Sequence, residues 1–164
     1  MTGAGLVLVL LVVGGTPAVL RALQRRRRLA IGTPGALWDE LAATAVDVGV
    51  RMQAAWTPRR AAHELAAAAA RGGDPDGRAA GAVLRLALAE EAACYGRAGE
   101  GGTDPALVTA LRTARHGLLR AAPRDVRLRA RLWPASLVSG AGARLADRTR
   151  RLGPRTRLRR PHAV

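Results

Sequence analysis

The chain has 164 residues, 49% of them hydrophobic, with 27 basic residues (all arginine), 12 acidic ones and a formal net charge of +15. That length fits one domain of about 100 to 150 residues with an anchor and a tail, and it leaves no room for two separate cores. A single cysteine, Cys94, excludes an intrachain disulfide and any cysteine-cluster zinc or iron–sulfur centre, which suits a reducing compartment.

Lys, Phe and Asn are missing and Ile31 is the sole isoleucine, the residue usage of a GC-rich genome, so part of the arginine excess is codon bias. The distribution of charge is more informative than its total. Residues 21 to 60 hold eight Arg against three acids, residues 61 to 111 four against seven, and residues 112 to 160 fifteen against two. With only Trp38, Trp56, Trp133 and Tyr95 as aromatics, the core has to be built from Leu, Val and Ala, which favours close helix packing.

Met1 to Leu20 carries no charged side chain. About 20 residues at 1.5 Å rise span roughly 30 Å, the thickness of a bilayer's hydrocarbon core. Gly14, Gly15 and Pro17 weaken the later half, but membrane helices tolerate them. Gly3, Ala4, Gly5, Gly14, Gly15 and Ala18 would also let a second membrane helix approach closely. Arg21 and the run Arg25, Arg26, Arg27, Arg28 follow the apolar stretch and no basic residue precedes it. The positive-inside rule then puts the N-terminus outside and the C-terminus in the cytoplasm. A cleaved signal peptide would show the reverse charge order and a small-residue cleavage site, and neither is present.

Thr33 and Pro34 read as an N-cap and first-turn proline, opening a helix through Leu37, Trp38, Leu41, Ala45 and Val48 that ends near Gly49. Thr57 and Pro58 repeat the signal for an Ala-rich helix to Arg71, stopped by Gly72 and Gly73. Asp74 to Gly77 is a turn. A third helix covers Arg78 to Gly96, with Val83, Leu84, Leu88 and Cys94 or Tyr95 inward and Glu90 and Glu91 partly outward. Thr103 caps a fourth, with Leu107, Val108, Leu111, Ala114 and Leu118 at helical spacing and an end before Pro123. Asp125 to Trp133 alternates Arg with Leu and reads as a short helix laid on the bundle or on lipid. No stretch alternates with period two long enough for a strand.

Cys94 would need a neighbouring histidine to act as a nucleophile, and His63 and His116 lie on adjacent predicted helices. With no helix N-terminus or Gly-rich turn to lower its pKa, a packing role is the better reading. His63 and Glu64, with Glu90 and Glu91, lack the second histidine of a zincin, since position 67 is Ala. Gly99 to Gly102 contains Glu100 and lacks a following Lys, so it is no phosphate loop. No catalytic, cofactor or metal site is therefore expected. The Arg-rich end lacks the interleaved aromatics that stack bases, so an anionic lipid surface is favoured over nucleic acid, beside the plain alternative of a solvated tail.

The order of several pieces resembles the C-terminal part of actinobacterial transglutaminase-like membrane proteins. Those pieces are the apolar segment followed by Arg25 to Arg28 and Leu29, then Leu37-Trp38-Asp39-Glu40-Leu41, Asp47-Val48-Gly49 and Thr57-Pro58-Arg59. Glu91 with Tyr95 and the run Arg127 to Leu137 complete it. The resemblance implies a last membrane helix and a small cytoplasmic helical domain of unknown function. It also implies a multi-span partner bearing an extracytoplasmic transglutaminase-like domain. The family's Cys, His and Asp chemistry sits in that extracytoplasmic domain, so no catalytic residue carries over.

The expectation is thus an all-α chain: a transmembrane helix over 1–23, a basic juxtamembrane linker over 24–34, a cytoplasmic helical domain over 35–138, and a disordered basic tail over 139–164. Its role would be non-catalytic scaffolding or regulation within a transglutaminase-like membrane system. The rival is a membrane-tethered polyanion or nucleic-acid binder acting through the C-terminal arginines.

Overall fold

The computed structural model describes residues 2–53, 55–95 and 104–137, with side chains from Thr16 onward. Those residues form six helices and a last helical turn at 135–137, with no strand among them, so the fold is all-α. The expected tail over 139–164, the cap at Thr103 and the Gly99 to Gly102 loop lie outside the described residues.

Helix α1 runs from Thr2 to Ile31, 30 residues or about 45 Å. It continues through the arginine run without a break, so most of the expected 24–34 linker is helix. Arginine is a good helix former, and Arg28 in the last turn complements the helix dipole. The helix stops at Gly32, whose φ of 67° suits glycine and whose N–H still reaches the Arg28 carbonyl at 3.0 Å. Among the described residues no helix is long and apolar enough to cross a membrane. Most of the uncharged segment on which that expectation rests lies before Thr16, where side chains are not described.

Helix α2 (Pro34–Asp47) opens as its sequence signal requires, with the Thr33 hydroxyl accepting from the Ala36 N–H. At its far end Gly49 takes φ 83°, and the Val50 and Gly49 N–H groups return to the Ala45 and Val46 carbonyls at 2.9 and 3.0 Å, a Schellman closure. Helix α3 (Pro58–Ala70) starts in the same way, with Thr57 accepting from Arg60 N–H. Helix α4 (Arg78–Tyr95) is capped from a distance: the Asp74 carboxylate accepts from the Ala79 and Ala80 N–H groups at 2.8 and 3.1 Å across the Pro75–Gly77 turn. Helix α5 (Pro105–Ala121) is capped by Asp104, where Thr103 was expected, through Ala106 N–H at 2.8 Å. Helix α6 is Arg124–Leu132.

Helices α3, α4 and α5 pack on one another, α2 leans on α4 and α5, and α1 rests on α2 and α6. Leu37, Leu41, Leu65, Val83, Leu86, Leu111 and Leu118 are fully buried between them. Each leucine contributes on the order of 1.5–3 kcal/mol of apolar burial. Small residues set the spacing: a Cβ placed on Gly117 of α5 would collide with the Ala79 Cβ of α4 and crowd that of Ala69 on α3.

The buried face of α4 differs from expectation. Ala79, Val83, Leu86 and Ala87 point inward, while Leu84 and Leu88 are exposed, as are Cys94 and Tyr95. Residues 80, 84 and 88 form an apolar row adjacent to 79, 83 and 87, and the row carrying alanine at both ends allows the close approach to Gly117.

Candidate functional site

Glu40, Thr44 and Asp47 are spaced four and three residues apart on α2, so they share one helix face beside Leu37 and Leu41. All three are buried, and Glu40 is 0% exposed. Buried carboxylates require charged partners. Arg21 of α1 supplies them: its two terminal nitrogens donate to Glu40 Oε2 and Oε1 at 2.7 and 2.8 Å, and its Nε donates to Asp47 Oδ2 at 2.9 Å. Arg28, two turns further along α1, adds a bond to Glu40 Oε2 at 3.2 Å and another to the Asp39 carbonyl at 3.2 Å. The second Asp47 oxygen accepts the Ser136 N–H at 2.8 Å, which ties the chain after α6 into the same network.

The five arginines expected to form one membrane-proximal cluster are therefore divided. Arg21 is turned inward, Arg28 shares Glu40, Arg25 is partly buried, and Arg26 and Arg27 are exposed. A signal for this pairing was present in the sequence: polar residues at 40, 44 and 47 fall inside the apolar stripe of a helix, where an acid needs a cation.

Next to this clamp lies a cleft of about 370 Å³ walled by α1, α2, α5 and α6. Arg21, Arg25, Arg115 and Arg131 line it against the single carboxylate of Asp47, with Leu119 and Val48 among its apolar walls. Among the described residues, Arg25, Arg115 and Arg131 form no ion pair within 4.0 Å, whereas Arg21 is fully engaged. Burial holds the Arg115 pKa below the ordinary arginine value, and repulsion from Arg25, Arg21 and Arg131 adds to this against the attraction of Glu40. Two other surface clefts contain charges of both signs, one with Glu64, Arg51 and Arg71, the other with Asp74, Asp76, Arg112 and Arg120.

Cys94 donates to Glu90 Oε1 at 3.5 Å on its own helix, and that hydrogen bond, with a lesser effect of desolvation and the Glu90 charge, holds its pKa above the usual thiol value. This is opposite to what a nucleophile requires. His63 and His116 are both exposed. Glu91 pairs with Arg59 at 3.0 Å and Glu64 sits 4.0 Å from Arg60. Among the described residues no three His, Cys, Asp or Glu side chains converge as metal ligands. The cleft offers fixed positive charge and a carboxylate already committed to partners, an arrangement suited to binding an anion.

Comparison with protein-family models, with curated proteins and with solved structures finds no match to this chain.

Proposed function

We propose that the chain is a non-catalytic, single-pass membrane protein with its N-terminus outside and its helical domain in the cytoplasm. It serves as a scaffolding or regulatory part of a transglutaminase-like membrane system. The observation that supports this reading is the join between α1 and the bundle. An uncharged segment runs as one helix into Arg21, and Arg21 is clamped to Glu40 and Asp47 of α2. A flexible tether would need no such clamp. A rigid one passes rotation or tilt of the outer helix directly to the cytoplasmic bundle.

Reporter fusions after Val138 test the topology: a cytoplasmic reporter should be active and a periplasm-type reporter silent. Co-purification in mild detergent should recover a multi-span membrane protein with an extracytoplasmic transglutaminase-like domain. The opposite reporter pattern, extraction by carbonate, or a solitary chain would refute the assignment. The second reading, a tethered polyanion or nucleic-acid binder acting through the C-terminal arginines, draws support from Arg115 and Arg131 of the cleft, which form no ion pair within 4.0 Å among the described residues.

A further inference from the structure

We propose that the cleft between α1, α2, α5 and α6 binds a phosphate-bearing anion, held by Arg25, Arg115 and Arg131 from three different helices. The lining residues all belong to these helices and the residues that directly follow them, with no contribution from a membrane partner.

Neither Asp47 in the cleft nor Glu40 beside it is free to neutralise these arginines. Both Glu40 oxygens are taken by Arg21, with Arg28 sharing one of them, and the Asp47 oxygens are taken by Arg21 and the Ser136 N–H. Arg115 is left partly buried beside Leu119, facing like charges across the cleft from α1 and α6. An incompletely compensated guanidinium in a partly desolvated position lowers stability, and such positions commonly belong to binding sites. An incoming anion reverses the sign of the effect, because the same apolar walls strengthen its attraction to the arginines.

The donor set selects the ligand class. Guanidinium forks match phosphate oxygens in bidentate geometry, and three forks supply more N–H donors than the two oxygens of a carboxylate readily accept. A cleft of about 370 Å³ is at the small end of ligand sites, enough for a phosphate with a compact substituent. Either a phospholipid headgroup or a soluble phosphoester presents this chemistry.

The test uses the full chain in nanodiscs of neutral phosphatidylcholine. Inorganic pyrophosphate is titrated calorimetrically, and a parallel set of discs contains phosphatidate and is followed by thermal unfolding. Pyrophosphate should bind at one site, and Arg115→Gln should weaken it about tenfold, as expected for loss of a charge-assisted hydrogen bond. Arg112→Gln, exposed on the same helix outside the cleft, should leave binding unchanged. Removing the uncompensated charge should also raise the ligand-free midpoint of Arg115→Gln by about 2–4 °C. If pyrophosphate is silent but phosphatidate raises the wild-type midpoint more than that of Arg115→Gln, the site takes a lipid headgroup. No response to either probe, equal losses in the two variants, or a lower ligand-free midpoint for Arg115→Gln would overturn the proposal.

Discussion

Arg21 and Glu40, nineteen residues apart, meet in a bidentate pair at 2.7 and 2.8 Å with the carboxylate wholly buried. Removing either partner leaves a buried charge only partly compensated, Glu40 by Arg28 at 3.2 Å or Arg21 by Asp47 at 2.9 Å. Glu40→Gln or Arg21→Gln should therefore lower stability, by at most about 3–5 kcal/mol. Replacing both by Met should cost less than the two single changes combined, because the pair's desolvation penalty is lost along with its attraction. Denaturant titration of the four proteins measures the coupling, and additive losses would mean that the two side chains are not energetically coupled.

Gly117 gives a sharper packing test, because the nearest atoms belong to alanines that cannot swing away. Gly117→Ala raises helix propensity yet forces α5 off α4 and α3. A net loss of about 1–3 kcal/mol is expected, against a gain of about 1 kcal/mol for an unconstrained helical glycine. Gly81, with open space around its Cβ position on α4, is the control and should gain.

These two features also mark where the sequence is readable. Thr33 with Pro34 and Thr57 with Pro58 announce their helices because a cap is local chemistry, settled within four residues. The Arg21 clamp is not local: Glu40 on an apolar stripe calls for a cation, but the eight arginines between residues 21 and 60 leave its identity open until α1 is seen to continue past residue 24. The face of α4 is illegible for another reason. Leu84 with Leu88 is the more hydrophobic row, but helix separation is set by Gly117 on a different element, and the alanine row fits it. In the sequence Arg25 belongs to the membrane-proximal run, Arg131 to the Arg127 to Leu137 run and Arg115 to the charge gradient alone; their meeting is not legible there, because α6 must fold back on α1 before Arg131 lies beside Arg25.

Cys94 should react slowly despite its exposure. Its hydrogen bond to Glu90 raises the thiol pKa, so at a given pH below that value less thiolate is present than in an unperturbed cysteine. Alkylation by iodoacetamide should rise with pH along a curve displaced to higher pH, and Glu90→Gln should move the curve back down by weakening the hydrogen bond and removing the neighbouring negative charge. A curve unchanged by that substitution would separate Cys94 from Glu90 in solution.

Helix α6 offers the most direct link between the fold and the proposed membrane setting. Val126 and Ala130 pack inward, while Leu128 and Leu132, one turn apart, and Trp133 project outward, Trp133 being 54% exposed. Arg124 and Arg129, both exposed, lie beside them, and α6 rests against α1. If α1 crosses the bilayer, this amphipathic edge falls near the interface, where a tryptophan and leucines enter the headgroup boundary and arginines meet anionic lipid. In vesicles with brominated acyl chains, Trp133 fluorescence should therefore be quenched strongly, while Trp38, 9% exposed in the core, should be spared. Trp133→Phe should remove most of the quenching, and Leu128→Ser with Leu132→Ser should reduce it by lifting the edge from the surface. The effect should persist at high salt, since apolar insertion is not screened, whereas attraction due to arginines alone would fade within a Debye length of about 8–10 Å. Quenching that is equal in wild type and Trp133→Phe would place α6 away from the bilayer and leave its apolar edge for a protein partner.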